Sequence, residues 1–82
     1  MAYRLSRLAP GSYDVLLDGQ IIASLVRSGP THEATWTMEL LVDLPPEQRP
    51  PPFTHLEHTF GSLEEARTWL GAAEIHDPGG DV

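Results

Sequence analysis

Residues 13–26 read YDVLLDGQIIASLV, in which two apolar, β-branched-rich runs flank the dipeptide Asp18-Gly19. Asp-Gly tolerates the positive φ angles of a two-residue type I′ turn. Because apolar runs on both sides of such a turn are typical of paired strands, the stretch predicts a β-hairpin. Pairing of Leu17 with Gln20 at the turn would place aliphatic side chains on both faces of this hairpin.

Each face of the predicted hairpin carries its own aliphatic set. The register pairs Val15 with Ile22 and Leu16 with Ile21. The first face then holds Leu16, Ile21, Ala23 and Leu25, and the second holds Val15, Leu17, Ile22 and Val26. A single helix covers only one side of a sheet, and monomers rarely expose a contiguous apolar patch of several side chains. We therefore predict an interaction surface on the first face, formed by Leu16, Ile21, Ala23 and Leu25. The alternative is a monomer in which residues 3–8 or a proline-rich connector covers that face.

The segments around the hairpin predict further strands and a connector. Residues 3–8 and 53–60 are strand candidates, and residues 34–42 form a further one with the clearest alternation in the chain, in which Trp36, Met38 and Leu40 lie on one face. Residues 43–52 hold five of the eight prolines, which excludes a helix interior or a central strand and predicts an extended connector. The predicted domain spans residues 1–75 and includes this connector. A flexible C-terminal tail is predicted at residues 76–82.

A helix start follows the last strand candidate. Ser62-Leu-Glu-Glu65 matches a capping box, in which the serine hydroxyl accepts a backbone N–H and the glutamate reaches back. After it, apolar residues recur at helical spacing: Leu63, Ala66, Trp69, Leu70 and Ala73.

The segment FGSLEEARTWL resembles the strand-to-helix turn of HicB-type antitoxins and other small β-meander-plus-helix modules, and the resemblance implies architecture only. The predicted fold is α+β: a small antiparallel, meander-like sheet of about four strands with one C-terminal helix packed on one face.

Composition limits the chemistry and the partners. The chain of 82 residues has no cysteine and no lysine, which excludes disulfides, thiolate nucleophiles, Schiff-base lysines and a P-loop lysine. Asparagine is also absent, while proline, alanine, glycine and arginine are used freely, which indicates a GC-rich bacterial genome. The net charge of −7 disfavours nucleic acid as a partner, because like charges repel. No apolar run reaches membrane-spanning length, so we predict no membrane partner and a cytoplasmic location.

The motifs that carry chemistry are weak. His55-x-x-His58, with His32 and His76 elsewhere, is the best metal candidate, but strand residues three apart point to opposite faces. No serine lies in a nucleophile elbow and no glycine-rich phosphate loop is present. We therefore predict that the protein is not an enzyme and has no catalytic residues, no metal site and no cofactor.

The sequence as a whole favours a small, non-enzymatic bacterial protein-interaction or regulatory module. Its expected partner is a protein, either another chain or a second copy in a homodimer that associates through the sheet. One alternative is a nucleic-acid-binding module of sheet and helix, but such a sheet should present arginine or lysine. The hairpin instead offers Ser12, Asp14 and Ser24. A second alternative is a carrier that holds a small ligand between helix and sheet.

Overall fold

Six strands form one sheet in the computed structural model, which describes residues 2–30 and 33–76. The strands are β1 (Tyr3–Ala9), β2 (Ser12–Leu17), β3 (Gln20–Ser28), β4 (Thr35–Leu40), β5 (Glu57–Phe60) and β6 (Glu74–His76). A 3-10 helix spans Pro46–Gln48, and the α-helix, α1, spans Leu63–Trp69. The spatial order is β5-β4-β3-β2-β1-β6, in which β1 to β5 form an antiparallel meander and β6 runs parallel to β1.

The predicted α+β class, with one helix packed on a sheet, is confirmed, but the predicted number of about four strands is wrong. Strand β6, which pairs with Arg4–Ser6 of β1, has the weakest signal in the sequence. Three residues are too few for an alternating pattern to show in the sequence. His76, where the predicted tail begins, is the last residue of β6, and the rest of that tail, residues 77–82, lies outside the described residues. Strand β5 is also shorter than predicted, because it begins at Glu57.

The turn of the β2–β3 hairpin is as predicted. Asp18 and Gly19 adopt positive φ angles of 51° and 87°, and Leu17 pairs with Gln20 across them. Glycine has no Cβ to clash in this region, and aspartate is one of the few other residues that tolerate it. The Asp18 carboxylate also accepts a hydrogen bond from the backbone N–H of Ala2 at 3.1 Å, which joins the turn to the start of β1.

A β-bulge beside this turn changes which side chains share a face. The register between β2 and β3 shifts after Leu16, so that Val15 pairs with Ala23. The predicted pairing of Val15 with Ile22 is therefore wrong, because β3 contains one extra residue at this point. Val15, Ala23 and Leu25 consequently lie on the same face of the sheet, where each is 0% exposed.

The hydrophobic core lies on this face of the sheet. The sheet contributes Leu5, Tyr13, Val15, Ala23, Leu25, Met38 and Leu40. The predicted alternation in β4 is confirmed, since Met38 and Leu40 are buried and Trp36 packs against the same cluster. Strands β5 and β6 run in the same direction at opposite edges of the sheet, so α1, which connects them, crosses this face. Neither helix in the described residues has the length and apolar character needed to cross a membrane.

Helix α1 begins at the predicted cap. Ser62 Oγ accepts the backbone N–H of Glu65 at 3.1 Å, and Glu65 Oε2 accepts the backbone N–H of Gly61 at 2.6 Å. An N-cap serine of this kind contributes about 1 kcal/mol to stability. Gly71, with a φ of 81°, follows the helix and stops it. The predicted apolar stripe packs on the core, with three buried and two partly buried members: Ala66, Leu70 and Ala73, then Leu63 and Trp69.

The proline-rich connector packs on the same side of the sheet as the helix. Phe53, which follows it, is 4% exposed, and its ring centroid lies 6.1 Å from that of Tyr3 and 5.0 Å from that of Trp69. The Tyr3 hydroxyl donates to the Pro51 carbonyl at 2.7 Å. The connector was one of two segments predicted to cover the exposed face of the hairpin, but it covers the core instead. The other segment, residues 3–8, forms most of β1 within the sheet.

Candidate functional site

The four residues predicted as an interaction surface are divided between the two sides of the sheet. Leu16 and Ile21 pair with each other on the face opposite the core, which we call the open face. Ile21 is 51% exposed and Leu16 is half-buried. Ala23 and Leu25 are fully buried in the core. Because the bulge separates the two pairs, Leu16 and Ile21 are the members of the set that a partner can reach.

A row of polar side chains crosses the open face in register. The strand pairings align one residue from each strand, from β5 to β6: Glu57, Glu39, Ser24, Asp14, Ser6 and His76. We call these six residues the polar row. Adjacent strands are about 4.8 Å apart, so Glu57 and Glu39 are immediate neighbours, whereas Asp14 lies two strands from Glu39. The middle of the open face is therefore polar, with aliphatic side chains on both sides of the row. Leu16 and Ile21 lie toward the hairpin turn, and Val26, which is 43% exposed, lies on the other side.

The aliphatic side chains toward the hairpin turn form an apolar corner, which we define as Leu16, Ile21 and Leu41, since alternation from Glu39 places Leu41 on the open face. Leu41 and the next residue, Val42, follow β4 and are 56% and 62% exposed. The Leu41 N–H donates to the Ile22 carbonyl at 3.0 Å, which keeps this segment beside β3. Sequence reasoning missed Leu41 and Val42, although a signal was present. The run Leu-Leu-Val at residues 40–42 places consecutive apolar residues where strand alternation should continue.

The open face carries excess negative charge within residues 2–30 and 33–76. Three carboxylates, those of Asp14, Glu39 and Glu57, belong to the polar row. Strand alternation places Arg4 on the same face, where Nη2 lies 3.7 Å from a carboxylate oxygen of Glu74, and the charges of this exposed pair offset each other. The ion pairs formed wholly within the described residues are Arg4–Glu74 and Glu64–Arg67. Neither involves the three carboxylates of the polar row.

His58 lies in an aromatic cluster on the core side of the sheet. Its ring centroid is 4.5 Å from that of Trp69 and 5.9 Å from that of Phe53. Its Nε2 accepts the backbone N–H of His55 at 3.2 Å and that of Thr54 at 3.4 Å. Partial burial is the main cause that lowers the pKa of His58 below its ordinary value of 6.5, and the charge of nearby His55 lowers it further. His58 is thus a neutral acceptor that fixes the backbone entering β5.

We expect the stability of the protein to fall as the pH drops through the range in which His58 takes up a proton. The unfolded chain binds this proton near the ordinary pKa of 6.5, whereas the folded protein binds it at lower pH, so acid favours the unfolded state. Urea unfolding at about pH 7.5 and about pH 5.5 measures the effect. His58→Gln, which keeps an acceptor but does not titrate there, should show a smaller pH dependence. Equal pH dependence in the two proteins would contradict this role.

A cleft of about 660 Å³ lies between the end of α1 and the hairpin turn. Its lining includes Tyr3, Leu16, Asp18, Leu70 and Glu74. Burial and, to a lesser degree, the charge of Asp18 raise the pKa of Tyr3 to about 12. The Tyr3 hydroxyl therefore stays protonated near neutral pH and is a poor acid or base there. The cleft lies at the rim of the domain, whereas the predicted carrier would hold its ligand between helix and sheet, where core side chains pack.

The histidines of the described residues do not assemble a metal centre. The ring centroids of His55 and His58 are 5.7 Å apart, His76 ends β6, and His32 lies outside the described residues. Within residues 2–30 and 33–76, no group of three or more His, Cys, Asp or Glu side chains is placed to hold a metal ion. Comparisons with protein-family models, curated proteins and solved structures gave no match to this chain. The function is therefore inferred from the surface itself.

Proposed function

We propose that this protein is a small, non-enzymatic interaction module that binds a protein partner through the apolar corner and the adjoining polar row. The observation that carries the proposal is the exposure of aliphatic side chains on neighbouring segments of the sheet. Ile21 and Leu41 are 51% and 56% exposed, and the hydrogen bond that the Leu41 N–H donates to the Ile22 carbonyl keeps the two segments side by side. Contiguous exposed apolar surface rimmed by polar residues is typical of protein interaction sites.

A protein suits this surface better than the other two classes of partner. Binding of nucleic acid depends on arginine or lysine that neutralises phosphates, whereas the polar row contributes carboxylates. Small ligands require a concave site that buries most of their surface, whereas the corner and the row lie on the outer face of a sheet. An apolar centre beside polar groups is the usual composition of a protein–protein interface.

Self-association through the sheet is one form of this proposal. A homodimer would bury the apolar corner of one copy against the same surface of the other, as two-fold symmetry requires. Light scattering of the purified protein at micromolar concentration distinguishes a monomer of 9.0 kDa from a dimer of twice that mass. A dimer that dissociates when Ile21 and Leu41 are replaced would identify the corner as the contact.

Capture of a partner from the native cell, followed by titration with the purified partner, tests the proposal. We expect Ile21→Ser/Leu41→Ser to bind at least about tenfold more weakly than the wild type, because two aliphatic anchors are lost. Leu8→Ser is the matched control, since Leu8 is 62% exposed but lies at the end of β1 away from the hairpin turn. All three proteins should remain folded at the temperature of the titration, as measured by circular dichroism. Unchanged affinity in the double variant would contradict the proposed surface.

A further inference from the structure

We infer that the partner of the open face is a basic protein surface that presents arginine or lysine side chains beside an apolar anchor. This inference rests on the proposed function and adds the chemistry of the partner. Its basis is the position of three carboxylates next to the apolar corner on one continuous face of the sheet.

The carboxylates of the polar row have a defined spacing. Glu57 and Glu39 are exposed and pair across β5 and β4, so their strands are separated by about 4.8 Å. Asp14 is two strands farther along the same row, beyond Ser24, at a distance of about 10 Å from Glu39. The matching partner therefore carries its cations along a line across the strands, with the apolar anchor to one side of that line.

The charge of the row is available to a partner. The ion pairs formed wholly within the described residues leave Asp14, Glu39 and Glu57 uninvolved. Arginine or lysine from a partner would make charge-assisted hydrogen bonds to these oxygens, and the net charge of −7 would attract such a partner over a longer range. The apolar corner supplies the desolvated contact that charges alone do not provide.

A second copy of the chain is less well matched to this face than a basic protein. Packing two open faces together would bring three carboxylates of one copy near three of the other, and such like-charge contacts oppose association. Alternation places one arginine of the described residues, Arg4, on the open face, and that residue is already near Glu74. The face therefore lacks the positive charge that would make it complementary to itself.

Selection of peptides from a random phage-displayed library against the purified protein tests the inference and does not require that the native partner be identified. We expect the selected peptides to combine arginine or lysine with aliphatic or aromatic residues. Their synthetic versions, titrated by fluorescence anisotropy, should bind about tenfold or more weakly to Asp14→Asn/Glu39→Gln/Glu57→Gln than to the wild type. Binding to the wild type should also weaken between about 50 mM and about 500 mM salt.

A charge-matched variant separates the polar row from the overall charge of the protein. Glu33→Gln/Glu47→Gln/Glu64→Gln also removes three negative charges, so both triple variants have a net charge of −4 instead of −7, but these three residues lie outside the strands. We expect this variant to bind the peptides nearly as well as the wild type. Equal weakening in both triple variants would show that bulk charge causes the binding and would overturn the inference.

The remaining outcomes separate the inference from the proposed function. Selected peptides that depend on Ile21 and Leu41 but contain no excess of basic residues would overturn the inference and leave the interaction surface intact. A homodimer that dissociates in Ile21→Ser/Leu41→Ser would overturn it in favour of a second copy. A library that yields no binding peptide would also count against a basic partner, whereas the proposed function is judged by capture of the native partner.

Discussion

Replacement of Trp69 with alanine is expected to lower the free energy of unfolding by about 3–5 kcal/mol. The indole ring centroid lies 5.0 Å from that of Phe53, 4.5 Å from that of His58 and 5.2 Å from that of Phe60. Trp69 therefore joins the helix to the connector and to β5, and its truncation removes contacts with both. Small domains are stable by only about 5–15 kcal/mol, so a loss of this size should shift the urea unfolding midpoint strongly. Circular dichroism is used to monitor the unfolding.

Two control variants show whether the effect comes from the cluster. Trp69→Phe keeps an aromatic ring at this position and should lose less stability than Trp69→Ala. Thr68→Ala changes the exposed neighbouring residue and should alter stability by no more than about 0.5 kcal/mol. An unchanged midpoint in Trp69→Ala would mean that α1 does not pack against the sheet as described.

The partners of Trp69 show how far sequence reasoning reaches into the core. The helical spacing predicts that Trp69 packs against Trp36 or its neighbours in the core. Trp69 packs against Phe60, which pairs with Trp36 across β4 and β5. The ring of Trp36 itself contacts Tyr13, with a centroid distance of 5.8 Å. Phe53 takes the remaining place beside Trp69, and its burial depends on the path of a connector that has no periodic pattern.

Features governed by neighbouring residues were predictable. The Asp18-Gly19 turn follows from the steric freedom of these two residues at positive φ, and the Ser62 cap follows from an unpaired N–H at the start of every helix. The alternation around Met38 follows from the geometry of a strand with one buried face. In each of these cases the cause lies within a few residues of its effect.

Features that depend on distant pairing were not predictable. Strand β6 is held by its parallel pairing with β1, about seventy positions earlier in the chain, and its three residues carry no pattern of their own. The bulge in β3 shifts the register by one residue and moves Ala23 and Leu25 into the core, yet no glycine or proline marks it. The apolar corner was partly predicted, because Leu16 and Ile21 precede the bulge on the turn side and keep the register set by the turn.

Leu25→Ala and Ile21→Ala are expected to differ several-fold in their effect on stability, although simple alternation from the turn places both residues on one face. Leu25 is 0% exposed, so its truncation should cost about 2–5 kcal/mol through lost burial and the cavity left behind. Ile21 is 51% exposed, so its truncation should cost less than about 1 kcal/mol. Urea unfolding of both variants gives the two values directly. Similar costs for the two variants would mean that the bulge does not separate them. The open face would then not have the composition on which the proposed interaction surface depends.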